Sequence, residues 1–322
     1  MDWRARLLSY LQAQLPSADS LDFSRLAAMP AGASNDTAAL DLRVTCDGWT
    51  ADIPLVLRPQ RADGILAPYD VGRQFRVMRA LATTAVPVPA VCWYEPGEEI
   101  LGAPFFFMQR VRGDTLPLFW YGPSERLRAA ASALATIHAV DWRGGGLSFL
   151  LPEPTACPLP SPTECELVPW RGRAELLRIG RAPLLIALGD YLARNEPSDA
   201  RHALLHGDPN PGNYLFRGDE VAAVLDWELA AIGDPRSDFG FYAALLAAFG
   251  GMPGENGRTL LSDAYAEVTG AALHDLEYYE ALGLYRMAIV MSGWAGRAGG
   301  GYYGMDAIGR RLSVLLGPRW AA

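Results

Sequence analysis

One loop, with the hairpin that follows it, constrains this chain more than any other stretch. Residues 206–213 read His-Gly-Asp-Pro-Asn-Pro-Gly-Asn. Pro209 and Pro211 lack amide donors and bias Asp208 and Asn210 toward extended backbone, so a regular helix cannot run through the segment. Two apolar runs follow, at 214–216 and 221–225, separated by Arg217-Gly218-Asp219-Glu220 and closed by Asp226. That pattern predicts a β-hairpin. The two ends of a hairpin lie on neighbouring strands about 5 Å apart, so Asn213 and Asp226 are expected to meet at one end with Asp208 just outside. Two carboxylates and one amide then face a common space. Hard oxygen donors of this kind suit Mg2+, which takes one or two protein carboxylates and completes its shell with water and phosphate.

Upstream, Leu40, Leu42, Val44 and Cys46 alternate with Asp41, Arg43 and Thr45, the period of a strand with one buried face. Asp47-Gly48 supplies a hairpin turn, and residues 55–58 read as part of the returning strand, with Pro54 disturbing the pairing before it. Asp70 can cap a helix in which Val71, Phe75, Met78 and Ala82 share a face. Two further strands, near 91–94 and 104–108, flank a Pro96-Gly97 turn. Strand, strand, helix, strand, strand describes an antiparallel sheet with one helix laid on it, not a doubly wound fold. Ahead of it, residues 2–14 carry Leu7, Leu8 and Leu11 at helical spacing.

Beyond 109–114 the periodicity turns helical. Pro123 and Ser124 open a segment in which Leu127, Ala130, Leu134 and His138 line one face. Residues 174–194 are helical with Pro183 dividing them, and further helices fall near 236–249, 258–269 and 275–295, with a last one ending before Pro318. Residues 151–170 are rich in proline and read as an irregular excursion or lid. The expected fold is therefore α+β and bilobal: a small antiparallel-sheet lobe with one main helix and a leading helix over 1–111, and a larger, mostly helical lobe over 112–322.

Composition narrows the function. With 322 residues, 50% of them hydrophobic, the chain can bury a large core. A net charge of −8 argues against nucleic acid or an anionic membrane surface as partners. All 28 basic residues are arginine, which removes Schiff-base chemistry, a lysine nucleophile and a P-loop lysine. Cys46, Cys92, Cys157 and Cys165 lack zinc-site spacing and are expected to be reduced thiols. Residues 1–16 lack the apolar core of a signal peptide, and the apolar run at 241–249 is far short of a membrane span. A soluble, cytoplasmic protein is expected.

The stretches LLHGDPNPGNYLF and AAVLDWELAAIGDPRSDFGF, set in a helical lobe behind a small mixed lobe, resemble the catalytic loop, metal aspartate and trailing GDPxxD motif of the aminoglycoside phosphotransferase and choline kinase-like family, within the protein-kinase-like fold. The resemblance covers roughly residues 20–300. It implies an ATP- or GTP-dependent, Mg2+-requiring transfer of the γ-phosphate to a hydroxyl of a small molecule. It makes Asp208 the base or orienter of the attacking hydroxyl and Asn213 and Asp226 the Mg2+ ligands. His206 is read as fixing the loop by hydrogen bonding, and Asp234 and Asp238 as bracing it, Asp234 alternatively as a helix cap. The turn bearing Gly32, Ser34 and Asn35 resembles the phosphate-covering loop, and FFFMQRVRG the hinge, where adenine would meet the backbone near Gln109 and Val111.

Two positions depart from the family pattern. The usual lysine on the third strand and its glutamate partner on the next helix correspond here to Arg58 and Gln74. Arginine keeps the charge and offers a planar fork, but it is not interchangeable with lysine, and Gln74 supplies no counter-charge. The alternative function is therefore a nucleotide-binding pseudokinase or regulator. A metal-dependent hydrolase using His206, Asp208 and Asp226 is a third reading. Scattered acids after residue 240 do not form an acceptor wall for a cationic aminoglycoside, while Trp294, Tyr302 and Tyr303 beside a glycine-rich loop fit an apolar or ring-bearing acceptor.

Overall fold

The computed structural model describes residues 2–24, 26–29, 37–63, 66, 68–117, 125–152, 158–180, 182–251, 253–254, 257–298 and 305–320, without the side chains of 28 and 294–298. Two compact units emerge, one from Met1–Thr83 with Val88–Arg112, the other from Thr84–Pro87 with Gly113–Ala322.

The first unit is built on an antiparallel sheet. Its strands are β1 (Ser20–Phe23), β2 (Ala27–Ala28), β3 (Ala38–Cys46), β4 (Trp49–Pro59), β5 (Val91–Glu95) and β6 (Phe105–Gln109), in the order β1-β3-β4-β6-β5 with β2 also on β3. The two-residue period of a strand divides the sheet's side chains between its faces. Leu40, Leu42, Leu55, Leu57, Phe105 and Phe107 form one core with Leu7 and Leu11 of helix α1 (Trp3–Gln14). Phe106, between them in sequence, turns the other way and meets Phe75 of helix α2 (Val71–Leu81) at 5.9 Å between ring centroids. Asp70 caps α2 by accepting from the Arg73 amide at 2.8 Å. Two features differ from the sequence expectation. β1 and β2 add strands too short to show periodicity, and β4 runs unbroken through Pro54, paired opposite Asp41.

The second unit holds helices α3 (Glu125–His138), α4 (Pro162–Leu176), α5 (Pro183–Arg194), α6 (Arg236–Ala248), α7 (Leu260–Thr269), α8 (Leu276–Ala298) and α9 (Met305–Leu316). Two small antiparallel pairs complete it: β7 (Ala203–Leu205) with β10 (Ala231–Gly233), and the hairpin β8 (Tyr214–Arg217) with β9 (Glu220–Val224). α6 and α8 cross closely enough that a Cβ on Gly283 would lie 2.4 Å from the Gly240 carbonyl oxygen, a spacing only glycine permits.

The proline-rich stretch at 151–170 corrects the sequence reading. From Pro162 onward it is the helix α4, with Pro162 at its first position and a capping box between Ser161 and Glu164. Proline at that position has no amide to lose, and the box satisfies two orphan donors, so part of the expected excursion is the start of a helix. Among the described residues no helix is long and apolar enough to cross a membrane. Cys46, Cys92 and Cys165 are free thiols, and Cys157 lies outside the described residues.

Candidate active site

The chain leaves β7 directly into the 206–213 loop. At Gly207 it turns through φ 87°, and a Cβ there would lie 2.1 Å from the Leu229 carbonyl oxygen. Only glycine can make that turn. The amides of His206 and Gly207 donate to the Asp238 carboxylate at 3.0 and 2.8 Å. Asp238 lies in the first turn of α6, where the helix dipole favours an anion. It also meets His138 Nε2 of α3 at 2.9 Å, and His138 Nδ1 lies 3.1 Å from the Tyr265 hydroxyl. Burial raises the Asp238 carboxyl, but His138 and the Gly207 amide outweigh it and hold the group below the usual carboxylate range.

His206 closes the loop onto itself. The Asp208 amide donates to its Nδ1 at 3.2 Å, and its Nε2 lies 2.8 Å from the Leu225 carbonyl oxygen. These two bonds define the Nε2–H tautomer. The ring also packs 4.8 Å from Trp227, whose indole donates to the Val224 carbonyl at 3.1 Å. Asp208 itself is half-buried. Asn210 Nδ2 donates to its carboxylate at 2.9 Å while the Asn210 side-chain oxygen accepts from the Gly212 amide at 2.8 Å. Burial pushes the Asp208 carboxyl above its ordinary value, against the pull of the Asn210 amide, and Asp226 adds to the rise.

The hairpin then delivers the remaining oxygens. The Leu225 amide donates to the Asn213 carbonyl at 2.8 Å, just beyond the pairing of Tyr214 with Val224, so Asn213 and Asp226 flank one end of the ribbon. Asn213 Nδ2 donates to the Asp208 carbonyl at 2.8 Å, which turns its amide oxygen the other way. Asp226 adopts left-handed backbone, φ 62° and ψ 63°, and its carboxylate makes no capping bond to the short turn that follows. A non-glycine residue in that region is a sign of local constraint. The donor set of one amide oxygen and two carboxylates, supplied by the loop and the end of the hairpin, is of the chemistry that suits a small hard cation.

Asp234 does a different job from Asp238. It accepts from the Arg201 amide at 2.8 Å and from the amide and Nε of Arg236 at 2.9 and 2.8 Å, and Arg236 also reaches Asp199 at 3.1 Å. It ties the strand entering the loop to the start of α6, whereas Asp238 alone of the two bonds the 206–213 backbone.

In the first unit, Arg58 lies opposite Phe106 on β4, which puts it on the face covered by α2, and both Arg58 and Gln74 are buried there. At the end of β6 the Gln109 amide donates to the Ala90 carbonyl at 2.7 Å and the Arg110 amide to the Pro54 carbonyl at 3.1 Å. The Gln109 side chain is exposed. Gly32, Ser34 and Asn35 lie outside the described residues, as do Tyr302, Tyr303 and the side chain of Trp294.

Residues 25–283 match the phosphotransferase enzyme family (APH). The chain belongs to that family. A candidate aminoglycoside phosphotransferase of Ralstonia eutropha, 25% identical, superposes with a TM-score of 0.65 over 97% of this chain and 96% of its own. A thermostable mutant of aminoglycoside phosphotransferase APH(4)-Ia, solved as a ternary complex with AMP-PNP and hygromycin B, is 16% identical with a TM-score of 0.59, covering 98% of each chain. Acyl-CoA dehydrogenase family member 10 of Mus musculus is 32% identical over 59% of this chain, a stretch that spans only 18% of that relative. The protein-kinase-like α+β fold is thereby established for this chain.

Some residues that build this site carried a local signal and some did not. Asn210 stands two residues before Gly212, the spacing at which an asparagine side chain bonds its own backbone. The φ of Gly207 is implied by a glycine between a strand and a proline-rich loop. Arg286 of α8, whose Nη2 donates to the Gly207 carbonyl at 2.7 Å, had no such signal.

Proposed function

We propose that this phosphotransferase is a nucleotide-dependent, Mg2+-requiring kinase that moves the γ-phosphate of ATP or GTP to a hydroxyl of a small molecule. One observation carries the reading: the loop bearing Asp208 hangs by its backbone from Asp238, Asn213 bonds the Asp208 carbonyl, and Leu225, next to Asp226, bonds Asn213. Asn213 and Asp226 would hold the cation. When bound, it supplies charge neutralisation to the phosphate oxygens. Asp208 orients the acceptor hydroxyl and takes its proton late in the transfer, a task for which position matters more than basicity. The raised Asp208 carboxyl suits that proton, and a cation close by would draw it down again.

The APH(4)-Ia complex, with AMP-PNP and hygromycin B bound together, supports a nucleotide and a hydroxyl-bearing acceptor as the two ligands here. At the end of β6 the exposed Gln109 side chain leaves recognition of a base to the main chain around Gln109 and Val111. Arg58 of β4 would be the residue that meets phosphate. The buried Arg58 and Gln74 in place of lysine and glutamate favour the second reading, a nucleotide binder without transfer.

ADP release, measured with Mg-ATP and Mg-GTP across sugar, amino-alcohol, hydroxy-acid and ring-bearing hydroxyl acceptors, separates the two. Transfer that vanishes in Asp208→Ala and on chelation by EDTA supports the kinase. Nucleotide-dependent thermal stabilisation without transfer, with transfer appearing in Arg58→Lys/Gln74→Glu, supports the binder.

A further inference from the structure

The peptide joining Gly207 to Asp208 is gripped at both ends. Its carbonyl oxygen accepts from Arg286 Nη2 at 2.7 Å, and its N–H donates to His206 Nδ1 at 3.2 Å. Arg286 is itself aimed. Its Nη1 donates to Glu166 Oε2 at 3.1 Å, and Ser237 Oγ donates to the same oxygen at 2.8 Å. The guanidinium carbon lies 4.2 Å from the Phe241 ring centroid and 5.3 Å from that of Trp170. Arg286, Glu166 and Ser237 come from α8, α4 and α6, and all three are buried.

Stability does not account for this trio. A buried ion pair often does no more than break even against apolar residues of the same volume, and here Glu166 Oε1 and Arg286 Nε have no hydrogen-bond partner among the described residues, which adds a cost. Arginine does not give up its proton in a protein, so the strain of burial falls on Glu166. Desolvation drives its carboxyl up to about 7 against the pull of Arg286 and Ser237. A charge kept at this cost, with its fork on one peptide oxygen beside Asp208, has a use at that peptide.

We propose that Arg286 is a positioning residue for Asp208, setting the plane of the Gly207–Asp208 peptide while Glu166 and Ser237 aim the guanidinium. Asp238 holds the Gly207 amide and Arg286 its carbonyl, so the residue before Asp208 is fixed on both sides and the carboxylate leaves the backbone in one direction. The kinetic consequence rests on the phosphotransfer reading; the structural one rests on the geometry.

The double variant Glu166→Gln/Arg286→Met removes both buried charges together and leaves neither ion stranded. Its kcat is expected to fall about 30-fold or more with KM for nucleotide and acceptor within about twofold, the pattern of a misplaced catalytic group. Amide hydrogen exchange at Asp208 is expected to quicken about tenfold while that at Gly207, still bonded to Asp238, stays as in the wild type. Arg286→Lys, which keeps the charge but loses the planar fork, should keep the wild-type melting temperature and still lose kcat. An unchanged kcat, or loosening of both amides together with a drop in melting temperature, overturns the positioning role and leaves a structural one. Should the wild type transfer phosphate to no acceptor, the phosphotransfer reading fails, and the ratio of exchange at the two amides still decides whether Arg286 sets the peptide.

Discussion

At the start of the 206–213 loop the main chain is held by side chains, two of them from the distant helices α6 and α8, whereas at 109–110 it is held by other main chain. The amides of His206, Gly207 and Asp208 and the Gly207 carbonyl end on Asp238, His206 and Arg286. At the end of β6 the Gln109 and Arg110 amides end on the carbonyls of Ala90 and Pro54. A ladder of backbone bonds tolerates changes of side chain, because the groups that make it are the same in every residue. A loop hung on three charged or titratable side chains does not. The difference assigns sensitivity: substitutions around 206–213 should act on geometry, and substitutions at 109 should act on almost nothing.

The strongest attempt to break this contrast is Asp208→Asn, which keeps the shape and removes the base. Transfer should fall by about 10²–10⁴-fold with the melting temperature unchanged; retained activity in an ADP-release assay would remove Asp208 from its role. Next comes Gly207→Ala. With φ at 87° and a Cβ 2.1 Å from the Leu229 carbonyl oxygen, it should destabilise the fold by about 3 kcal/mol in urea unfolding, and a midpoint like the wild type's would mean the loop can move.

Glu166→Gln tests the charges behind the loop through pH. The folded carboxyl titrates near 7 against 4.5 ordinarily, for which burial is the main cause. The folded state therefore binds this proton more tightly than the unfolded chain, and the stability from it, fully present below 4.5, is lost as pH rises toward 7. The slope is at most about 1.4 kcal/mol per pH unit, and the glutamine variant should lack it in unfolding measurements across that window. The smallest effect belongs to Gln109→Ala, expected within about 0.5 kcal/mol of the wild type in stability and without effect on nucleotide affinity by titration calorimetry.

The sequence and the structure part company along the same line. The gathering of Asp208, Asn213 and Asp226 was legible because a hairpin is a local device, and its turn residues, alternation and closing aspartate lie within 21 positions. The tie of His206 to the loop was legible for the same reason. Arg286 and Glu166 were not, since the bonds that bring them to Gly207 and to each other span 79 and 120 positions, and no periodicity marks an arginine that turns inward from a mostly apolar helix. Glu166 was further hidden because the prolines of 151–170 read as an irregular excursion, although Ser161, Pro162 and Glu164 together spell a helix start. Asp234 and Asp238 look alike in the GDPxxD motif; only their partners separate a strut at the foot of α6 from a support for the loop. β1 and β2 escaped because four residues and two residues cannot display a period.

The double grip on the Gly207–Asp208 peptide also has a calorimetric consequence. A segment whose polar groups are already engaged within the protein has no coil-to-ordered transition left to make when a ligand arrives. The heat-capacity change of acceptor binding should then carry no negative increment from folding of the 206–213 loop.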